Sequence, residues 1–299
     1  MKVFIQIASY RDRELIPTIK DLLARARHPD RLRFGICRQY HPKDGFDNLD
    51  GCKKDPRFRV LDVLYDRASG VGFARNLTQR LYMGEQFTMQ IDSHMRFIKD
   101  WDVKMTQMIF SLQDQGYKKP MLTGYMGSYT PGKENAINYT EPPLQMEINN
   151  FDEEGIPAFT STVIPFFDQL VCPVPARFFS AGFYFTLGQF CREVPYDPNI
   201  YFLGEEISIA ARAYTHGYDL FHAHKMLLWH YHYRKGNPKH WDDDQVWYLK
   251  NMRSYSRLKS LLKIDGHHNA ENFGQYGFGS QRSLEAYKKY AGVVFPKIA

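Results

Sequence analysis

Phe87-Thr88-Met89-Gln90-Ile91 alternates apolar and polar residues and runs directly into Asp92-Ser93-His94-Met95-Arg96-Phe97. The period is that of a buried strand. If the backbone stays extended past Ile91, Asp92 and His94 leave the same face, with Ser93 as the spacer between them. A carboxylate oxygen and an imidazole nitrogen then converge on one point, as a divalent cation requires. A strand end followed by a polar turn fits the same letters, so the rest of the chain has to decide between the two.

Upstream, Lys2 to Ala8 forms a first strand, broken by Ser9-Tyr10-Arg11-Asp12. Asp12 stands where a helix cap belongs, and Leu15, Ile16, Ile19, Leu22 and Leu23 form an apolar helical stripe after it. Arg33 to Gln39 and Val60 to Leu64 are the next strands. This order predicts an α/β chain with a mostly parallel sheet flanked by helices, and a nucleotide site at the carboxyl ends of its strands. Neither GxGxxG nor a Walker motif follows the first strand, which argues against a dinucleotide oxidoreductase.

The totals set outer bounds. The chain has 299 residues, 43% hydrophobic and 24% charged, enough for a sizeable core. A net charge of +6 without a dense Lys/Arg run does not favour nucleic acid as a partner. Cys37, Cys52, Cys172 and Cys191 show no CxxC pairing and read as free thiols in a reducing compartment. The N-terminus reads as a strand and no apolar run has the length of a membrane span, so a cytoplasmic protein is expected.

Four further stretches carry chemistry. Arg67 to Asn76 is a glycine-bearing loop opening a helix, where backbone N–H groups approach an anion and Arg67 or Arg75 adds charge. A βα turn with solvated arginines reads the same way. Ser180-Ala181-Gly182, inside an aromatic strand over Phe178 to Phe185, allows close approach to the backbone. Glu205-Glu206 opens a helix, where two carboxylates suit the dipole or hold sugar hydroxyls. His230 and His232 alternate with aromatics before Arg234. Either histidine supplies a third cation ligand beside Asp92 and His94, and Arg234 meets a diphosphate. Two imidazoles and a carboxylate with open positions suit Mn²⁺. Thr130 to Pro157 is polar and reads as an inserted hairpin, a candidate acceptor-side lid. From Asp242 the chain is helical, and no internal boundary breaks it.

Taken in order, Ile7-Ala8-Ser9-Tyr10-Arg11-Asp12, Ala74-Arg75, Asp92-Ser93-His94-Met95-Arg96-Phe97, Ser180-Ala181-Gly182-Phe183, Phe202-Leu203-Gly204-Glu205-Glu206, Trp229-His230 with Tyr233-Arg234, and Tyr276-Gly277 with Arg282-Ser283-Leu284 resemble the cytosolic hydroxyproline-polypeptide α-N-acetylglucosaminyltransferases, family 60 of the retaining glycosyltransferases. The resemblance covers nearly the whole chain. It implies one GT-A domain over 1–299 with a helical C-terminal extension from about 242, a UDP-sugar donor, most simply UDP-GlcNAc, and Mn²⁺ or Mg²⁺. It further implies transfer with retention to a protein or glycan hydroxyl. By the same resemblance Asp92, His94 and His230 are the metal ligands, His230 being preferred over His232 because it follows Trp229. Ala8, Ser9 and Arg11 match the uridine loop and Arg75 an arginine near the nucleotide. Ser93, Ser180, Ala181, Gly182 and Arg234 fall to the donor site, and Glu205 and Glu206 match an acidic pair beneath the donor sugar. A non-catalytic UDP-sugar or glycan-binding module and a metal-dependent phosphoester hydrolase are the competing readings.

Overall fold

A computed structural model describes residues 1–234, 236–264 and 272–297; the remainder of the expected 1–299 span lies outside the described residues. The strands are β1 (Val3–Tyr10), β2 (Leu32–Tyr40), β3 (Phe58–Leu64), β4 (Phe87–Asp92), β5 (Met95–Phe97), β6 (Pro120–Thr123), β7 (Gly127–Ser128), β8 (Leu144–Phe151), β9 (Pro157–Val163), β10 (Val174–Pro175), β11 (Phe183–Leu187), β12 (Asp219–His222) and β13 (Leu228–His230). The helices are α1 (Leu15–Arg25), α2 (Asp50–Lys53), α3 (Val71–Gln79), α4 (Trp101–Asp114), α5 (Phe190–Glu193), α6 (Glu205–Thr215), α7 (His240–Asp243), α8 (Trp247–Leu262) and α9 (Leu284–Ala291).

Eight strands form one sheet in the order β10-β12-β6-β11-β4-β1-β2-β3. β1 pairs in parallel with β2 and β4, and β2 with β3, so their carboxyl ends open on one edge. β11 lies antiparallel between β4 and β6. The sheet is therefore the mostly parallel, helix-flanked one the strand order predicts. β5, β13 and β7 make a small second sheet, and β8 with β9 an antiparallel hairpin.

Both faces of the main sheet are buried, which explains its mixed alphabet. Ile5, Ile7, Phe34, Ile36, Met89 and Ile91 pack into a core with α1 and α4. The intervening polar residues find partners for their amide N–H groups, although the Gln6 and Gln90 side-chain oxygens stay unpartnered among the described residues. Gln6 Nε2 donates to Thr88 Oγ1 and to the Tyr184 hydroxyl, both at 2.7 Å, and Gln90 Nε2 donates to the Ala181 carbonyl at 2.7 Å. A buried amide left unpaired costs about 1–3 kcal/mol, so this chain of bonds permits polar residues at the centre of the sheet. A second core joins α6, α8 and α9 through Ile207, Ala210, Leu258, Leu262 and Tyr287.

Several expected bounds shift. The aromatic strand begins only at Phe183, because Phe178 to Gly182 is a loop. The helix after the glycine loop starts at Val71 rather than Ala74, and its glycines have a packing reason. A Cβ at Gly70 or Gly72 would lie 2.3 Å from the Tyr201 or the Ile200 carbonyl oxygen, and the Val71 N–H donates to Tyr201 O at 2.8 Å. That donor is thereby unavailable to an anion, and Arg67 is exposed at the surface. The polar stretch from Thr130 does contain a hairpin, though β9 carries it on to Val163.

Candidate functional site

Parallel register assembles the site. Ala8 of β1 pairs with Asp92 of β4, and Phe183 of β11 pairs with Ile91 on the other side. The chain bends at Ser93-His94 and re-enters the small sheet as β5, where Met95 pairs with His230 of β13. Residues far apart in sequence are thus set side by side by backbone hydrogen bonds. One ligand atom from each of Asp92, His94 and His230 lies within 4.8 Å of the others. His230 Nε2 is 3.1 Å from Asp92 Oδ2, and the His94 and His230 rings are 4.6 Å apart. Among the described residues this is the one such cluster. His232 stands outside it, with Nδ1 3.1 Å from His230 Nδ1.

The neighbours prepare these groups for a cation. Burial works against the Asp92 charge, but the His230 contact and the positive charge of Arg75 outweigh it and hold the carboxyl far below its ordinary range. Its side chain still opens to the cleft, 26% exposed. Burial pushes the His94 pKa down against the opposing pull of Asp12, which favours the neutral imidazole a metal needs. Gly182 explains the run of small residues. A Cβ there would meet Asp92 Oδ2 at 3.3 Å and Met126 Cε at 3.0 Å. The donor set and its spacing fit a divalent cation of the Mn²⁺ or Mg²⁺ class.

The cluster opens into a cleft of about 650 Å³. Ala8, Arg75, Asp92, Ser93, His94, Ser180, Ala181, Gly182, Glu205, Glu206, His230 and Arg234 all line it, as sites of interest from the sequence. Ser9 and Arg11 do not. Ser9 is fully buried with its hydroxyl unpartnered among the described residues. Arg11 is held by Asp44 at 2.6 Å and Asp243 at 2.8 Å. Arg75 lines the cleft but spends its guanidinium on protein: Nη2 donates to Asp92 Oδ1 at 3.0 Å and Nη1 to Glu205 Oε2 at 2.7 Å. Ser93 turns its hydroxyl away, onto Asp12. Arg234 differs from these: among the described residues its buried Nε and Nη2 find no hydrogen-bond acceptor, and Nη2 is only ion-paired with Asp12 Oδ2 at 3.2 Å.

Glu205 and Glu206 form the opposite wall, on the first turn of α6. Burial raises both carboxyls to about 7, against the lowering effect of Arg75 on Glu205 and of the Ala181 N–H on Glu206. Glu206 accepts from Ala181 N at 2.9 Å and from the Tyr125 hydroxyl at 3.1 Å. Two acidic groups therefore sit near their midpoint at neutral pH, one tied to Asp92 through Arg75.

The structure adds residues that sequence reasoning passed over. Gln39, Tyr125, Lys239, His240 and Trp241 line the cleft, and Pro157, Ala158 and Phe159 bring β9 to its rim. Asp12, read as a cap, has Oδ2 2.7 Å from His94 Nδ1. No local signal marks these positions. The one available clue was that Asp12 and His94 each follow a strand of a sheet expected to be mostly parallel.

A mixed sheet with a carboxylate–histidine cluster at the carboxyl end of a central strand, facing a nucleotide-sized cleft, is the layout of a GT-A glycosyltransferase. Among solved structures, GalNAc-T7 with UDP, GalNAc and Mn²⁺ shares the fold at 12% identity and TM-score 0.64, over 97% of this chain and 55% of that one. The chain thus spans little more than half the length of that neighbour. S. aureus TarS 1-349 in complex with UDP-GlcNAc matches more loosely, at 13% identity and TM-score 0.49 over 87% and 67% of the two chains. No curated protein matches the sequence. The model of the family described as Glycosyltransferase (GlcNAc) matches residues 2–57 and 50–297, and the chain belongs to that family. Its fold is of GT-A type, and no helix among the described residues is long and apolar enough to cross a membrane.

Proposed function

We propose that the chain transfers GlcNAc from UDP-GlcNAc to a hydroxyl, with retention, using a divalent cation held by Asp92, His94 and His230. The observation that carries this reading is the convergence of those three side chains beside Arg234, which is ion-paired with Asp12 but whose Nε and Nη2 find no hydrogen-bond acceptor among the described residues. A cation bound there would neutralise charge on the diphosphate as the sugar leaves. Arg234 adds a second positive contact to the leaving phosphates, its free N–H groups being matched to phosphate oxygens. Ala8 and Gly182 leave room for the nucleotide along the strand ends. Ser9 is buried behind them, and Arg11, its side chain paired with Asp44 and Asp243 and its N–H donated to the Gln39 carbonyl, stays outside the donor site. Ser180 and Ala181 border the donor sugar, and the Ser180 hydroxyl is buried without a partner.

Glu205 and Glu206 hold hydroxyls of the donor sugar or the acceptor. Arg75 keeps Glu205 in register with Asp92, so the sugar site and the cation site move as one unit. Retention is met by attack from the face the leaving phosphate occupies. The hairpin residues Pro157 to Phe159 border the acceptor side, where a protein hydroxyproline, Ser or Thr, or a glycan, presents its hydroxyl. GlcNAc is supported by the family description and UDP with Mn²⁺ by the ligands of the GalNAc-T7 crystal.

The test is a screen of UDP-sugars for Mn²⁺-dependent UDP release, followed by mass spectrometry of candidate acceptors. UDP-GlcNAc should stand above UDP-GalNAc and UDP-glucose, and EDTA should silence it. Equal release from every sugar without an acceptor product would indicate hydrolysis and overturn the assignment.

A further inference from the structure

Asp12 is fully buried, and both oxygens of its carboxylate are engaged. Oδ1 accepts the Glu14 N–H at 2.9 Å, which ties it to the loop between β1 and α1. Oδ2 lies 2.7 Å from His94 Nδ1, 2.6 Å from Ser93 Oγ and 3.2 Å from Arg234 Nη2. Asp12 is not the cap expected from its place before α1, since the N-cap is Glu14 and no side chain caps the helix. Its Oδ2 meets both residues that follow β4 and the arginine that follows β13.

We infer that Asp12 is a positioning residue that fixes the His94 ring and shares its charge with Arg234, so that cation binding and UDP binding are coupled through it. A proton on Nδ1, donated to Asp12, leaves Nε2 of His94 as the free ring nitrogen, the tautomer a cation requires. Arg234 is near Asp12 as an ion pair, not as a hydrogen bond, and its Nε and Nη2 have no acceptor. Phosphate oxygens offer it what Asp12 does not. When Arg234 turns to a diphosphate, the Asp12 Oδ2 charge is left to His94 and the Ser93 hydroxyl, and His94 becomes the stronger ligand. UDP therefore tightens the cation, and by linkage the cation tightens UDP by the same factor.

This inference rests on the cation-and-UDP reading of the cleft, so the experiment separates the two. Calorimetry of Mn²⁺ and of UDP, each alone and in the presence of the other, is run on the wild type, Asp12→Asn and Arg234→Met, with thermal unfolding of each. In the wild type, UDP should bind at least about tenfold tighter with Mn²⁺ present, within the usual range of coupling. In Asp12→Asn, Mn²⁺ affinity should fall about 10–100-fold, the ordinary effect of losing an outer-shell partner, and the coupling should shrink to what direct cation–diphosphate contact supplies. In Arg234→Met, Mn²⁺ alone should bind at least as tightly as in the wild type, while the coupling is reduced in the same way. Nitrogen-15 NMR of wild-type His94 should show the proton on Nδ1, a readout that does not depend on the variants folding. An Nε2–H tautomer, or an Asp12→Asn protein with wild-type Mn²⁺ affinity and coupling, overturns the inference. A wild type whose UDP binding ignores Mn²⁺ overturns the cation reading itself.

Discussion

At the scale of single residues, Asp92 is the group on which the others converge. It touches His230, is bonded by Arg75, and leaves no room for a side chain at position 182. Replacing it with Asn keeps the shape and removes the charge. Asp92→Asn should lose Mn²⁺ binding by calorimetry and cut UDP-GlcNAc turnover at least about 100-fold. Gly182→Ala is subtler, because the new methyl would press on the Asp92 carboxylate at 3.3 Å. Mn²⁺ affinity should drop about tenfold while the melting temperature changes little, which titrations paired with calorimetric scans will show. Glu206 gives a pH signature. Its carboxyl is raised to about 7 in the fold, so the folded state binds a proton that the unfolded chain releases near the ordinary value of about 4.5. The stability it contributes is complete below about 4.5 and is lost as pH rises through about 7. Thermal scans should show wild-type stability falling between pH 5 and 7.5, and falling less in Glu206→Gln.

At the scale of elements, the question is what holds α3 and α6 at the cleft. α3 carries Arg75, and it approaches the loop ahead of α6 through Gly70 and Gly72. At Gly72 a Cβ would come within 2.3 Å of the Ile200 carbonyl oxygen and 2.5 Å of the Asp197 carbonyl oxygen, and neither carbonyl can swing aside as a flexible side chain could. Gly72→Ala should cost about 1–3 kcal/mol by denaturant unfolding and pull Arg75 off Glu205. These glycines were legible as a loop before a helix, but not as a packing contact, because the partner loop is more than a hundred residues away in sequence. The hairpin of β8 and β9 presents Phe159 at the cleft rim, 4.9 Å from the Phe178 ring. If it borders the acceptor, Phe159→Ala should raise the acceptor KM severalfold and leave UDP-GlcNAc hydrolysis without acceptor unchanged, as steady-state kinetics will measure.

At the scale of the whole molecule, the C-terminal helices are part of the core that supports the site. Leu258, Leu262, Ile264, Leu284 and Tyr287 are buried in the same cluster as Ile207 and Ala210 of α6. Each buried side chain of this size contributes about 1.5–3 kcal/mol, so their sum is comparable with the whole stability of a domain, about 5–15 kcal/mol. A chain ending at residue 246 should fail to unfold cooperatively and should bind a hydrophobic dye, where the full chain does neither. Position 204 adds a local reason: glycine there has φ +82°, and a Cβ would lie 2.3 Å from Leu258 Cδ1, so α8 is seated directly on the entry to α6.

Local chemistry alone determined the parts of this protein that depend on short spacings. Alternation in Phe87 to Ile91 makes a strand wherever it is placed and puts Asp92 at its end, but the backbone does not stay extended past it: the chain bends at Ser93-His94, and that bend sets His94 beside Asp92. The apolar stripe from Leu15 and the carboxylates opening α6 are equally local. Tertiary structure decided everything that depends on which strands lie side by side. Pairing of β13 with β5 brings His230 rather than His232 to Asp92, and pairing of β1 with β4 brings Asp12 to His94. It also determined that Arg75 bonds to protein while Arg234 is left with donors to offer. Register is a property of two segments at once, and a one-residue slip reverses every side chain, so no reading of one segment can supply it.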